Sequence, residues 1–351
     1  MQKSFLFLTL FVLMGGVQAE TLKGRIAEIS PQAGTIVIQV EGKGREVIGT
    51  DADTRYEGAA GLNDLGPPDL IEVQRQEGGP AARIRKVLFD LPPGLAISIN
   101  ELLGIITDGQ PHQLYDTRPH DLFATAHIPG AGSTSPEDED FPGRLPADKD
   151  MLLVFYGRGP TFPDTAAAVE QAEAAGHTNL KGYLDGLPGW SETRLLLLSE
   201  ASWLAKHRNP RHVVLDVRPR TVSSRSHIVG AVAMPLSELQ AMSQRTIAGQ
   251  ESPRLPGLSD RGAPVIVYAD DHTSREAVRA YKLLREWGYD RATVLKNGFT
   301  GWRTAGLPTV SGPAATRIVY ENDLAPAPSN PRESGAAHSP PPPVRAVAGL
   351  P

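Results

Sequence analysis

Apolar positions recur with two different periods along this chain, and the change of period divides it. Between residues 20 and 90 they alternate with polar ones in TLKGRIAEIS, TIVIQV, DLIEVQRQ and ARIRKVLF. Alternation of this kind is the mark of half-buried strands. The turn-forming groups Pro31-Gln32-Ala33-Gly34, Gly42-Lys43-Gly44 and Gly78-Gly79-Pro80 separate these segments. The pattern predicts a small all-β unit with a docking or structural role. From residue 91 onward the pattern changes. Short unbroken apolar runs alternate with helix-period stretches, which predicts parallel sheets flanked by helices, an α/β architecture.

The α/β part is an internal duplication. LYDTRP (114–119) matches VLDVRP (214–219), and a histidine stands eleven residues after each aspartate: Asp116 to His127, Asp216 to His227. HIPGA (127–131) then matches HIVGA (227–231), and LLVFYG (152–157) matches VIVYA (265–269). From each tyrosine, Tyr156 or Tyr268, a glycine lies 20 residues on and a tryptophan 34 residues on, Trp190 or Trp302. Spacings that repeat over this length indicate two copies of one structural unit. They set the boundaries at 91–195 and 196–313.

The two ends of the chain differ from its middle. Lys3, the apolar run over residues 5–14 and the small residue closing Val17-Gln18-Ala19 have the order of a secretory signal peptide, cut after Ala19. The run is too short to cross a bilayer and no later segment is long enough, so no membrane span is expected after cleavage and the expected location is the periplasm or another exported compartment. Residues 314–351 carry four consecutive prolines, Pro340 to Pro343, among Ala, Ser and Gly, and are expected to be disordered.

Composition narrows the chemistry. There is no cysteine among the 351 residues, which excludes disulfides, thiolate metal sites and thiol nucleophiles together. A net charge of −5 with no basic cluster argues against nucleic acid as a partner.

The all-β unit over residues 20–90 resembles the small OB-like barrels of exported bacterial proteins, while the Asp-x-Arg strand ends, the His-Ile-x-Gly-Ala turns, the tyrosine-ended strands and the late Gly-Trp elements together resemble rhodanese domains in tandem. In active members, as the resemblance implies, the tyrosine-ended strand leads into a cysteine that carries sulfur as a persulfide. Here that position is Gly157 in the first copy and Ala269 in the second, and neither can supply a nucleophile. The loops have diverged as well. Pro160 and Pro163 remove N–H donors from the first, and Asp270 and Asp271 place carboxylates where the second would favour an anion.

Without catalytic residues, the loops are candidate recognition surfaces. The first is expected to be rimmed by Tyr156, Arg158 and Phe162, and the second by Tyr268, Asp270, Asp271, His272 and Arg275. The pairs Asp116–Arg118 and Asp216–Arg218, together with His127, His227, Trp190 and Trp302, are expected to be structural. Asp270-Asp271-His272 could suggest a metal, but consecutive side chains rarely converge on one ion, and neither metal nor cofactor is expected. The leading reading is a catalytically inactive tandem rhodanese-like protein that binds or scaffolds a protein partner in the envelope. A protein presenting thiosulfate or sulfane sulfur to a partner, and an assembly factor for an envelope redox or electron-transfer complex, stand as alternatives.

Overall fold

The computed structural model of the protein describes residues 19–207, 211–245 and 252–319. The expected signal peptide, apart from Ala19, and the chain beyond residue 319 lie outside the described residues.

Six strands form the N-terminal unit: β1 (Ala19–Ser30), β2 (Thr35–Val40), β3 (Gly44–Gly49), β4 (Arg55–Glu57), β5 (Leu70–Gln76) and β6 (Ala81–Lys86). Long β1 pairs antiparallel with β2 through its second half and with β5 through its first, so one strand organises both halves. The alternation seen in the sequence puts Leu22, Ile26, Ile36, Ile38, Ile71 and Val73 into one core. The sheet order is β3-β2-β1-β5-β6-β4, and β4 joins β6 in parallel. The end strands β3 and β4 do not pair with each other, so the sheet is mixed and open where the sequence predicts a closed barrel. With only three residues, β4 presents too short an edge to complete one.

The first repeat follows with α1 (Ile99–Thr107), β7 (His112–Asp116), α2 (His120–Thr125), β8 (Gly132–Ser133), β9 (Leu152–Tyr156), α3 (Asp164–Ala174), β10 (Leu180–Tyr183) and α4 (Gly186–Glu192). Its parallel sheet runs β10-β9-β7-β8. The second repeat comprises β11 (Leu198–Ser199), α5 (Ala201–His207), β12 (Val213–Asp216), α6 (Arg220–Ser223), β13 (His227–Ile228), β14 (Val232–Ala233), α7 (Leu236–Arg245), β15 (Val265–Tyr268), α8 (Arg275–Glu286), β16 (Ala292–Leu295), α9 (Gly298–Thr304) and β17 (Thr309–Val310). Its parallel sheet runs β11-β16-β15-β12-β14. Every residue of β12, β15 and β16 is buried, as expected of strands covered by helices on both faces.

The glycine 20 residues past each tyrosine stops a helix. Gly176 and Gly288 have φ of 91° and 88°, a left-handed conformation that releases the chain from α3 and α8 at little steric cost.

The two repeats share one hydrophobic core running from Leu114 and Val154 through Leu197 to Leu215, Val267 and Tyr281. His127 and Leu198 exchange backbone hydrogen bonds of 2.8 and 2.9 Å across the boundary. The almost fully buried Arg285 donates to the Ser191 carbonyl at 2.6 Å, and the Tyr281 hydroxyl to that of Leu195 at 2.7 Å. The N-terminal sheet docks on the first repeat: the Phe89 amide donates to Pro160 O at 2.7 Å, and Arg25 Nη2 to Thr161 O at 3.1 Å.

The second repeat also extends past the expected limit at residue 313. Ala315 bridges Val232, and Ile318 is buried with its amide donating to Pro256 O at 3.2 Å. Residues 314–319 therefore belong to the fold and not to a disordered tail.

Candidate functional site

In both sheets the strand ending in aspartate lies beside the strand ending in tyrosine, in register: Asp116 with Tyr156, Asp216 with Tyr268. That register brings the same atoms together twice. Arg118 grips Asp116 through Nε at 2.8 Å and Nη2 at 2.6 Å, and Nη2 also donates to Ala126 O. Arg218 repeats this on Asp216 at 2.9 and 2.7 Å and on Ser226 O. Two parallel charge-assisted bonds fix both the geometry and the charge of such a pair. The histidines are equally alike, each placing Nδ1 3.0 Å from the carbonyl four residues back, Phe123 or Ser223. Trp190 and Trp302 each donate at 3.0 Å to a carbonyl six residues on, Leu196 or Pro308.

Tyr156 and Tyr268 are not rim residues, contrary to the expectation from sequence. Both are fully buried, and their hydroxyls accept the Ile128 and Ile228 amides at 3.1 Å. Tyr268 donates in turn to Asp216 at 2.8 Å. Burial, reinforced by the adjacent aspartate, holds both phenols above their ordinary pKa and therefore neutral. The strand ends at the mouth, but the amide of the facing turn needs a buried acceptor, and the tyrosine supplies it.

At Gly157, the position that the resemblance gives to the nucleophile, there is no space for a side chain. A Cβ on Gly157 would stand 2.8 Å from Thr117 Oγ1, 3.0 Å from Asp164 Cβ and 3.1 Å from Thr165 Oγ1. The Gly157 carbonyl accepts from the Leu187 amide at 2.9 Å, and Gly186 comes so near that its own Cβ would clash with that oxygen at 2.3 Å. Gly298 closes on Ala269 in the same way in the second repeat, where Ala269 is buried. These close approaches account for the glycine that stands three residues before each Gly-Trp pair.

The loop side chains are mostly engaged with each other. Arg158 forms a bidentate pair with Asp164 at 2.6 and 2.5 Å, and this carboxylate raises its already high pKa. Phe162 lies between two guanidiniums, Arg25 at 3.6 Å and Arg158 at 4.3 Å from its ring centre. In the second loop, Asp270 accepts from Arg218 Nη1 at 3.1 Å while remaining largely solvent-exposed. Asp271 accepts from the Thr273 amide at 2.9 Å and hydroxyl at 2.8 Å, contacts that lower its pKa. His272 Nδ1 accepts from the Asn297 amide at 3.0 Å, and Arg275 is exposed at the start of α8. Asp271 Oδ1 also lies 3.3 Å from His272 Nδ1, while Asp270 turns away to Arg218, and among the described residues no cluster of three His, Asp or Glu is placed to hold a metal.

Sequence reasoning missed Arg25, Thr117 and Asp164. Thr117 and Asp164 occupy ordinary positions beside the motifs, and Arg25 reaches the loop only because the domains dock.

The rhodanese-like domain family matches residues 98–193 and 200–305, and the chain belongs to that family, twice over. No curated protein matches. Among solved structures, the Alr3790 protein from Anabaena sp. is 28% identical over 32% of this chain and 80% of its own, with a TM-score of 0.26. A thiosulfate sulfurtransferase from Pseudomonas aeruginosa is 21% identical over 63% of this chain, which spans 44% of that chain, with a TM-score of 0.26. The human single-domain sulfurtransferase TSTD1 is 20% identical over 28% of this chain and 96% of its own, with a TM-score of 0.25. The protein is thus a tandem of two rhodanese-like domains without a cysteine.

Proposed function

We propose that this protein is a non-catalytic member of its family, exported to the bacterial envelope, where it binds a protein partner as an accessory or scaffold module. One observation carries the reading: the chain has no cysteine, and at Gly157, which with Ala269 holds the place the resemblance gives to the nucleophile, the space is filled by Thr117, Asp164 and Thr165. A sulfur carrier needs a thiolate at that point. Rebuilding one would require moving neighbours that are themselves hydrogen-bonded, since Thr117 Oγ1 donates to Tyr156 O at 3.0 Å.

The second loop is the proposed recognition surface, because Asp270 and Asp271 are exposed carboxylates at the carboxyl end of a parallel sheet, where α/β folds bind ligands. It fits a cationic or hydrogen-bond-donating face of a partner. The N-terminal sheet is the proposed docking module that holds the first repeat's loop closed. Capture from an envelope extract tests the assignment. Asp270→Ala with Asp271→Ala should weaken retention of the partner while shifting the melting temperature by no more than a few degrees. Unchanged capture, with capture lost on deleting residues 20–90, would move the role to the N-terminal sheet.

A further inference from the structure

Helix α4 buries Trp190 on one side and turns another face outward. Positions 185, 188, 189, 192 and 193 recur at helical spacing along that outer face. Beside it lies a cavity of about 550 Å³, walled by Ile99 of α1, Pro160 of the loop after β9 and Pro188, with Tyr183, Asp185 and Glu192 among its polar groups. The volume is within the range of about 300–1,000 Å³ that holds small organic ligands. No Lys or Arg lines it.

Three acceptors meet this cavity without protein partners. Tyr183 is only 1% exposed, and among the described residues its hydroxyl makes no hydrogen bond, so the hydroxyl is left to whatever occupies the cavity. Gly189 keeps that hydroxyl uncovered, because a Cβ there would stand 2.6 Å from it. Asp185 makes no capping bond to α4, and among the described residues neither Asp185 nor Glu192 forms an ion pair. Burial, with both carboxylates adding to it, pushes the Tyr183 phenol up to about 12, so the hydroxyl keeps its proton beside two negative charges.

The second repeat shows that the fold does not require these groups. Counted back and forward from Trp190 and Trp302, Tyr183 corresponds to Leu295, Asp185 to Asn297 and Glu192 to Thr304. The same strand end and helix are thus built there with no phenol and no carboxylate. The hydroxyl and both charges belong to the first repeat alone, and all three line one cavity.

We propose that this cavity binds a small primary amine as its ammonium ion, with the apolar body of the ligand against Ile99, Pro160 and Pro188. An ammonium carries three N–H donors, and the phenol oxygen and two carboxylates offer it three acceptors. The two carboxylates also repel anions of the same shape. The site lies on the first repeat and does not depend on the partner-binding reading of the second, so either can fail alone.

Calorimetric titration of the purified protein with benzylamine tests this, with benzyltrimethylammonium as an analogue that keeps the ring and the charge but has no N–H donor. Benzylamine is expected to bind one to one, and the trimethyl analogue about tenfold more weakly or not at all. Glu192→Gln, at an exposed position, should weaken benzylamine binding about fivefold. Tyr183→Phe should weaken it by a similar factor, and it removes a hydroxyl that bonds to no other described residue. Both variants should keep the parent's melting temperature within a few degrees. The proposal is overturned if benzylamine fails to bind at about 5 mM, if the trimethyl analogue binds equally well, or if either folded variant binds like the parent.

Discussion

Gly157→Ala probes the filled space after β9 with the smallest perturbation available. Gly157 does not have a left-handed φ, so alanine meets no backbone penalty there. Restricting the unfolded chain would by itself stabilise by about 0.4–1 kcal/mol. Against this stands the packing. The new methyl must share space with Thr117 Oγ1 at 2.8 Å, Asp164 Cβ at 3.0 Å and Thr165 Oγ1 at 3.1 Å. None of these is the loose end of a flexible side chain: Thr117 is hydrogen-bonded to Tyr156 O, and Asp164 is held by Arg158. Overpacking of a tight site costs about 1–3 kcal/mol, so packing outweighs the entropy gain and the net effect is destabilising by roughly 1.5 kcal/mol. For folding units of this size that lowers the melting midpoint by about 3–6 °C. Gly143→Ala, with nothing within 4 Å of its Cβ, is the control and should stay within about 0.5 kcal/mol. Circular dichroism melts of the three proteins decide the matter. An unchanged or higher midpoint for Gly157→Ala would refute the reasoning that the position has closed.

Tyr268→Phe removes the acceptor of the Ile228 amide and a donor to Asp216, and chemical denaturation should register a loss of about 1–3 kcal/mol. His127 is buried and stacked on Phe123, and desolvation brings its pKa down from 6.5 to about 4. The unfolded chain therefore takes up a proton that the folded one refuses. This contribution is complete above about pH 6.5 and is lost as pH falls toward 4, and His127→Gln should flatten that part of the stability profile. Arg25→Ala removes the guanidinium over Phe162 and the bond to Thr161 O, so limited proteolysis should cut faster between residues 89 and 94. Proteolysis of the parent protein should trim the C-terminus only as far as residue 319, because Ile318 is anchored in the core.

The duplicated framework could be read from sequence because it depends on local geometry. The distance from Asp116 to His127 equals that from Asp216 to His227, since the same strand end, short helix and turn must bring an arginine, an aspartate and a histidine into one arrangement. Tyr156 and Tyr268 were legible as markers but not as buried acceptors. Spacing places a residue at a strand end, and only the facing turn decides whether its hydroxyl points to solvent or to an amide. The alternation in β1, β2 and β5 revealed the strands, yet barrel closure depends on how the end strands meet, which alternation does not encode. Polyproline composition said nothing of Ala315 and Ile318, which contact Val232 and Pro256. The cavity beside α4 was out of reach altogether, because Ile99, Pro160 and Tyr183 converge only through packing.

The central proposal is that the rhodanese-like fold is retained here without sulfur-transfer chemistry, and transfer of sulfur from thiosulfate to cyanide tests it most directly. Purified protein, free of other sulfurtransferases, should release no more thiocyanate than a heat-inactivated sample. Ala269→Cys alone should add little, because Asp270 lies beside the new thiol and opposes both its ionisation and an anionic donor. Sustained turnover by the unmodified protein would contradict the account, since no cysteine is available to carry the sulfur.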